Sequence, residues 1–542
     1  MGFSPYDYGI LFIYLIGVTL LGSWLGRNQK STRDYFLGDR NIPWGAVCFS
    51  IVATETSTLT FISIPGLAYL TNLNFLQLTL GYLLGRILVS FLFLPAYYRG
   101  DLATAYEFLG NRFGLSMRNF SSIIFQLTRL LADGVRLFAT AIPLSLITGW
   151  SYPVSIAVMG ILTIVYTYLG GIRAVVWVDV VQTVVYLSGA IFAAIYLYNL
   201  LPGGWNDIVT AAQADNKLQI FYPGFENGVR AFFTSRYNFI TSIIGGMFLS
   251  MASHGTDQII VQRLLTCNNV RSSQKALIAS GVFVMLQFAL FLVIGLMLYT
   301  FYHGHAIGPD SNFVTSSDEV FSKFIIEELP AGLSGLIIAG IFAAAMSSLS
   351  GSLNSLASST IMDIYKVHFG KNNSPRNDLL ISKIATACWG LIFIGGAMLF
   401  KDKNNPVVEL GLEIASFTYG GLLGAFLMGM LFKQVRENTA IISMWSAIFF
   451  MTWIIGGKIS ETAKLGIIVV NVLAFIWIFT RVHERKEQIA LTLLLVTIVA
   501  LIRYVEPIPF FWPWYVFIGS AVNISVGLLL TLFTTPHYRK TW

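Results

Sequence analysis

The stretch "VCFSIVATETSTLTFISIPGLAYL", residues 47–70, starts and finishes like a membrane-crossing helix but loses that character in its middle. Between Ala53 and Thr60 it carries Thr54, Glu55, Thr56, Ser57, Thr58 and Thr60 almost without a break. Irregular polar backbone at membrane depth is tolerated only where it lines a cavity or is buried in protein. A second stretch, "IGGMFLSMASHGTDQIIVQR" at residues 244–263, turns polar from Ser250 to Asp257 with Gly255 inside it. For either stretch alone, hydroxyls bonding back to their own helix would be explanation enough. Two interruptions five spans apart point instead to a broken helix at the start of each of two inverted repeats, with a transport site between them.

Composition sets the solvent. The 542 residues are 55% hydrophobic and only 11% charged, and the mean hydropathy is +0.70. Soluble domains carry about 25% charged residues, so the deficit points to lipid. Runs of bilayer-spanning length recur at 5–26, 44–70, 74–98, 118–148, 151–171, 175–200, 237–263, 275–301, 332–366, 378–400, 406–432, 437–457, 462–481, 487–504 and 513–534. The expectation is an all-α polytopic membrane protein of about fifteen helices with no soluble domain. The first run has neither a basic n-region nor a small-residue cleavage site and reads as a retained helix.

Basic residues cluster on alternate loops: Arg27, Lys30, Arg33 and Arg40; Arg99, Arg112 and Arg118; Arg263, Arg271 and Lys275; Lys366, Lys371 and Arg376. Arg481, Arg485, Lys486, Arg539 and Lys540 fall on the same side. The positive-inside rule makes that side cytoplasmic, with the amino terminus outside and the carboxyl terminus in the cytoplasm, in a multi-pass protein of the cell (plasma or inner) membrane. The net charge of +7 is this bias; it calls for a lipid bilayer and no nucleic-acid partner. Cys48, Cys267 and Cys388 have no metal-ligand spacing and read as buried thiols. No P-loop and no nucleophile–base or metal constellation stands out, so neither ATP-driven pumping nor enzymatic chemistry is expected.

Six ordered motifs carry a family likeness: "DYFLGDRNIPW" (34–44), "TFISIPGLAY" (60–69), "YEFLGNRFG" (106–114), "YLGGIRAVVWVDVVQ" (168–182), "TDQIIVQRLL" (256–265) and "AAAMSSLSGSLNSLASSTIMDIYK" (343–366). With them the chain resembles the sodium:solute symporter family, which includes sodium-coupled sugar, sialic acid, proline, iodide and vitamin transporters. The resemblance implies the LeuT fold, a 5+5 inverted repeat with peripheral helices. Residues 1–43 would be a peripheral helix and cytoplasmic loop, 44–200 the first repeat and 201–236 an extracytoplasmic loop. Residues 237–432 would be the second repeat and 433–542 peripheral helices.

Sodium is a hard cation that takes oxygen ligands. Ala344, Ser347 and Ser348 share one helix face by the i, i+3, i+4 rule, and an unwound helix offers free carbonyls. The resemblance implies a main sodium site made of the carbonyls of Ala53, Thr56 and Ala344 and the hydroxyls of Ser347 and Ser348. Ser352, Ser355 and Ser359 are accounted for by close helix packing. Some members hold a second sodium, for which the equivalents here are Ser57, Asp179, Ser347 and Ser350. Gly351 departs from a neighbouring position that is hydroxylic in such members. Asp179 is therefore a second-site ligand or a structural anchor, and the ion count is one or two.

The solute is expected among Glu55, Thr60, Thr79, Tyr82, Asp133, Arg136, Ser250, Ser253 and Glu413. Family members for sugars and sialic acid have neutral side chains at the position of Glu55, and sialic acid members have an arginine near that of Asp133. Arg136, three residues on, shares a side of the helix with Asp133. Glu55, Arg86, Arg129, Asp133, Arg136 and Glu413 form either a structural ion-pair network or a polar pocket. The function implied is a monomeric sodium-coupled symporter importing a small polar organic solute, led by a sugar, sialic acid or related sugar acid. An amino-acid, ammonium or carboxylate transporter, a channel, and a transporter-like sensor stand as alternatives.

Overall fold

The computed structural model describes residues 4–27, 29–225, 228–235, 237–308, 311–370, 373–399, 407–456, 461–481, 485–505 and 510–533. Among the described residues, each apolar run falls largely on helix. They are α1 (Pro5–Leu25), α2 (Trp44–Glu55), α3 (Thr58–Leu70), α4 (Phe75–Leu92), α5 (Leu115–Thr148), α6 (Tyr152–Asn199), α7 (Phe239–Gly255) and α8 (Gln258–Leu264). Then follow α9 (Val270–Phe301), α10 (Leu333–Ser359), α11 (Pro375–Leu399), α12 (Val407–Leu431), α13 (Glu437–Gly456), α14 (Glu461–Arg481), α15 (Arg485–Val505) and α16 (Trp514–Phe533). Among the described residues, eight helices are long and apolar enough to cross a membrane, and nine if the bent pair α2–α3 is one crossing.

The runs 151–171 and 175–200 join in one 48-residue helix, α6, with a bend at Gly171 (φ 54, ψ −157). At 1.5 Å per residue α6 is about 72 Å long, more than twice the hydrocarbon core, so the bend divides it into two crossings. Only glycine suits that point: φ is positive, and a Cβ would stand 2.5 Å from the Tyr35 carbonyl oxygen.

Both interruptions are shorter than the polar composition suggests. α2 runs through Glu55, and only Thr56 (φ −80, ψ 89) and Ser57 separate it from α3, with a bend of 59°. α7 continues through Gly255, leaving Thr256 and Asp257 as the break. Ser250 and Ser253 thus lie on helical turns rather than in unwound chain. The cause is local: Thr54, Thr56 and Thr256 donate their hydroxyls to the carbonyls of Ser50, Val52 and Ala252, four residues back, which leaves the helical ladder intact. Ser57 then caps α3 by accepting the Thr60 amide at 3.4 Å, and Asp257 accepts the Ile259 amide at 2.9 Å at the start of α8.

The chain divides into two compact units. In the first, residues 1–79, 129–222 and 262–411, α10 packs along α6, with α1, α2, α3 and α11 also against it, and α9 packs on α2 and α3. Nearly every residue of α10 is buried. In the second, residues 80–128, 223–261 and 412–542, α16 packs on α7 and α13, and α14 and α15 flank α13. Cys48 and Cys267 are buried as expected, whereas Cys388, expected buried, is exposed on α11. A bilayer accepts a thiol on a helix surface as readily as a core does.

Asp7 ties α1 to the head of α10. Its carboxylate accepts the amides of Gly332 (2.8 Å) and Gly335 (2.7 Å) and the Ser334 hydroxyl (2.8 Å), capping one helix from another. Asp7→Ala would orphan these buried donors at a cost of about 1–3 kcal/mol. The expected result is a lower melting temperature in detergent; an unchanged one would mean that the cap contributes nothing.

Candidate sodium and solute site

α10 grips the α2–α3 break on both sides. The Thr58 hydroxyl donates to the Ile341 carbonyl at 3.0 Å. About two turns along α10, the Ser348 hydroxyl lies 3.4 Å from the Thr54 carbonyl oxygen and 3.2 Å from that of Ala344. The Ser57 amide, which a continuing helix would give to the Ala53 carbonyl, goes to Glu55 O at 3.1 Å. The break therefore releases the Ala53 carbonyl from its helical donor. Ala53, Ala344, Ser347 and Ser348 thus fall on the two facing segments. The backbone oxygen nearest Ser348 is that of Thr54, which the sequence did not single out. Thr56 is pinned through its side chain: Gln287 Nε2 donates to its hydroxyl at 2.7 Å, and Tyr186 donates to Gln287 Oε1 at 3.1 Å.

Asp179 on α6 is fully buried and satisfied. Its Oδ1 accepts the Ser347 hydroxyl at 2.7 Å, and its Oδ2 accepts Ser50 Oγ at 2.5 Å and Arg263 Nη2 at 3.0 Å. Arg263 Nε also donates to Ser50 Oγ at 2.8 Å. Arg263, grouped above with the basic loop residues, has 0% side-chain exposure and belongs to this cluster. Of the four second-site residues, Asp179 and Ser347 meet through their side chains. Ser350 donates to the Ser347 carbonyl at 3.0 Å, and Ser57 is occupied at the α3 cap.

Asp133 on α5 is the hub of a second cluster. Its side chain is 5% exposed and meets Arg129 Nη1 at 3.3 Å and Arg136 Nη1 at 3.2 Å. The Ser352 hydroxyl, one turn beyond Ser348 on α10, donates to Asp133 Oδ2 at 2.6 Å. Ser352 is thus a site residue rather than only a small packing residue. A narrow cavity lies beside this hub, lined by Ser57, Thr58, Asp133, Arg136, Leu137, Thr140, Ala345, Ser348 and Leu349. Its free volume is about 20 Å³, room for about one water or a bare cation. Ser348 and the charged pair Asp133–Arg136 therefore share one cavity.

The remaining expected solute contacts are placed less distinctively. Glu55 is half-buried at the end of α2, and among the described residues it does not line the cavity. The Thr60 hydroxyl pairs with that of Ser57 at 3.4 Å, and Thr79 donates to its own helix at Leu76. In the second unit the Ser250 hydroxyl donates to the Tyr82 carbonyl at 2.9 Å. Ser253 bonds His254 Nδ1 at 2.8 Å. The side chain of Glu413 lies outside the described residues.

Residues 35–447 match the model of the sodium:solute symporter family. The chain belongs to that family. This symporter is 30% identical to the sodium/sialic acid symporter of Aliivibrio fischeri over 453 residues, 83% of this chain and 88% of that protein. It is 29% identical to the sodium/sialic acid symporter of Proteus mirabilis (82% and 88% of the two chains). Identity is again 29% to the human sodium/iodide cotransporter (83% and 70%). A solved Na+-coupled sialic acid symporter in a substrate-bound, outward-open state superposes with a TM-score of 0.79 at 24% identity, covering 98% of this chain and 99% of that one. The fold is therefore that of a sodium symporter built on inverted repeats. The symporter is a multi-pass membrane protein, a transporter and not an enzyme, with sodium as its co-transported ion.

Proposed function

We propose that this symporter imports a small polar sugar or sugar acid, a sialic acid or a close relative first among them, by alternating access driven by the inward sodium gradient. The observation that carries the reading is the shared cavity: Ser348, of the sodium face, and Arg136 both line it. Arg136 is 25% exposed, and among the described residues its only side-chain partner is Asp133, through one nitrogen. The rest of its planar fork suits a carboxylate or a set of hydroxyls. The two sialic acid symporters among the relatives support the same solute class.

In this reading sodium takes the carbonyls of Ala53, Thr56 and Ala344 and the hydroxyls of Ser347 and Ser348. The solute meets Arg136, Asp133 and Thr60, with Glu55, Thr79, Tyr82, Ser250, Ser253 and Glu413 as further candidate contacts. The first repeat is 44–200 and the second 237–432, five crossings each, opening with the broken pairs α2–α3 and α7–α8. The segments 1–43 and 433–542 are peripheral, and 201–236 is an extracytoplasmic loop. The amino terminus is outside, the carboxyl terminus is cytoplasmic, and the monomer is the transporting unit.

The test is a solute screen by thermal shift in sodium buffer, with N-acetylneuraminate, neutral sugars, monocarboxylates and amino acids. A sugar or sugar acid should stabilise the protein. Arg136→Gln should weaken that solute's binding by about tenfold or more while leaving sodium binding measurable. Stabilisation by amino acids alone, or solute binding indifferent to Arg136→Gln, would overturn this reading.

A further inference from the structure

We infer that the guanidinium of Arg263 stands where a second sodium would have to bind, so that this symporter is coupled to a single sodium ion, and that Asp179 acts on that ion only through Ser347. The inference rests on the main sodium site proposed above. It starts from Gly351: a Cβ there would lie 2.7 Å from Arg263 Nη2, 3.0 Å from Nη1 and 3.3 Å from Cζ. The guanidinium lies against α10 in the space that any side chain at 351 would claim. From there it reaches Asp179 Oδ2 at 3.0 Å and Ser50 Oγ at 2.8 Å, with neither charged side chain exposed.

A buried carboxylate attracts a second cation only while its charge is unmatched. Here one full positive charge already matches it, and both its oxygens accept hydrogen bonds from protein donors. A sodium added beside the pair would face a like charge at close range in a medium that screens poorly. Of the other oxygens such a site needs, Ser350 donates to its own backbone and Ser57 caps α3, and among the described residues neither hydroxyl bonds Asp179.

What the pair does instead follows from the single proton of Ser347. That hydroxyl donates to Asp179 Oδ1, so its lone pairs are left for a cation on the main site. Asp179 is thus a positioning residue: it fixes Ser347 as an acceptor, and Arg263 holds Asp179 in place.

The experiment is equilibrium binding of ²²Na⁺ to the purified full chain in lipid nanodiscs. The expected result is one ion per chain with a Hill coefficient near one. Gly351→Ser should push the guanidinium off and add a hydroxyl, so a second ion and a Hill coefficient above one should appear. Two ions per wild-type chain would overturn this inference while leaving sodium symport standing. A Gly351→Ser protein that folds and still binds one ion without cooperativity would overturn it too. If that variant does not fold, the wild-type ion count decides. No bound sodium at all would overturn the main site and this inference together.

Discussion

Ser348→Ala should raise the sodium concentration for half-maximal binding by about ten- to a hundredfold, the equivalent of about 1.4–3 kcal/mol for one lost oxygen ligand. The hydroxyl lies within hydrogen-bonding distance of the carbonyls of Thr54 and Ala344, so its loss opens the point where the α2–α3 break meets α10. Alanine is the better helix former, so the protein should reach the membrane and keep its melting temperature without sodium. Ser355→Ala is the control: among the described residues its hydroxyl bonds only back to Ser352 at 3.0 Å, and sodium affinity should not change. Unchanged sodium affinity in both Ser348→Ala and Ser347→Ala would move the ion off this face of α10.

The largest loss of stability should come from Asp133→Ala. Two guanidiniums, from Arg129 and Arg136, converge on that carboxylate with the Ser352 hydroxyl. Removing one partner of a buried ion pair costs about 3–5 kcal/mol because the remaining charge is left uncompensated. Thermal unfolding in detergent should therefore drop sharply for Asp133→Ala and less for Ser352→Ala, which loses one hydrogen bond worth about 1 kcal/mol. Adding Arg136→Met to Asp133→Ala should recover part of the loss. A fully stable Asp133→Ala protein would show that the carboxylate is not a structural hub.

Most helices were legible because they are uninterrupted apolar runs, and lipid imposes that length and composition on any crossing segment. The bend in α6 was legible as the gap between two runs around Gly171. How far α2 and α7 unwind was not, because Thr and Ser look the same in a sequence whether they bond back to their own helix, as Thr54 and Thr256 do, or face a cavity, as Ser348 does. Ser352 and Ser355 are equivalent in the pattern of α10. Only the approach of α5, 219 residues away in sequence, separates them.

Arg263 misled for a different reason. A basic residue at the end of an apolar stretch normally marks the membrane edge, yet here it is fully buried against Asp179. The available signal was the aspartate itself, since an intramembrane carboxylate needs a partner and Arg263 closes the second broken stretch. Gln287 and Tyr186 left no signal, because a lone glutamine and a tyrosine within apolar helices read as ordinary core.

The most direct test is uptake of the solute identified by the thermal-shift screen into proteoliposomes containing the full chain, with and without an inward sodium gradient. Saturable accumulation above the external concentration should occur only with the gradient, and collapsing it with a sodium ionophore should release the solute. Equilibration to the external concentration regardless of sodium would contradict sodium-driven symport through this site.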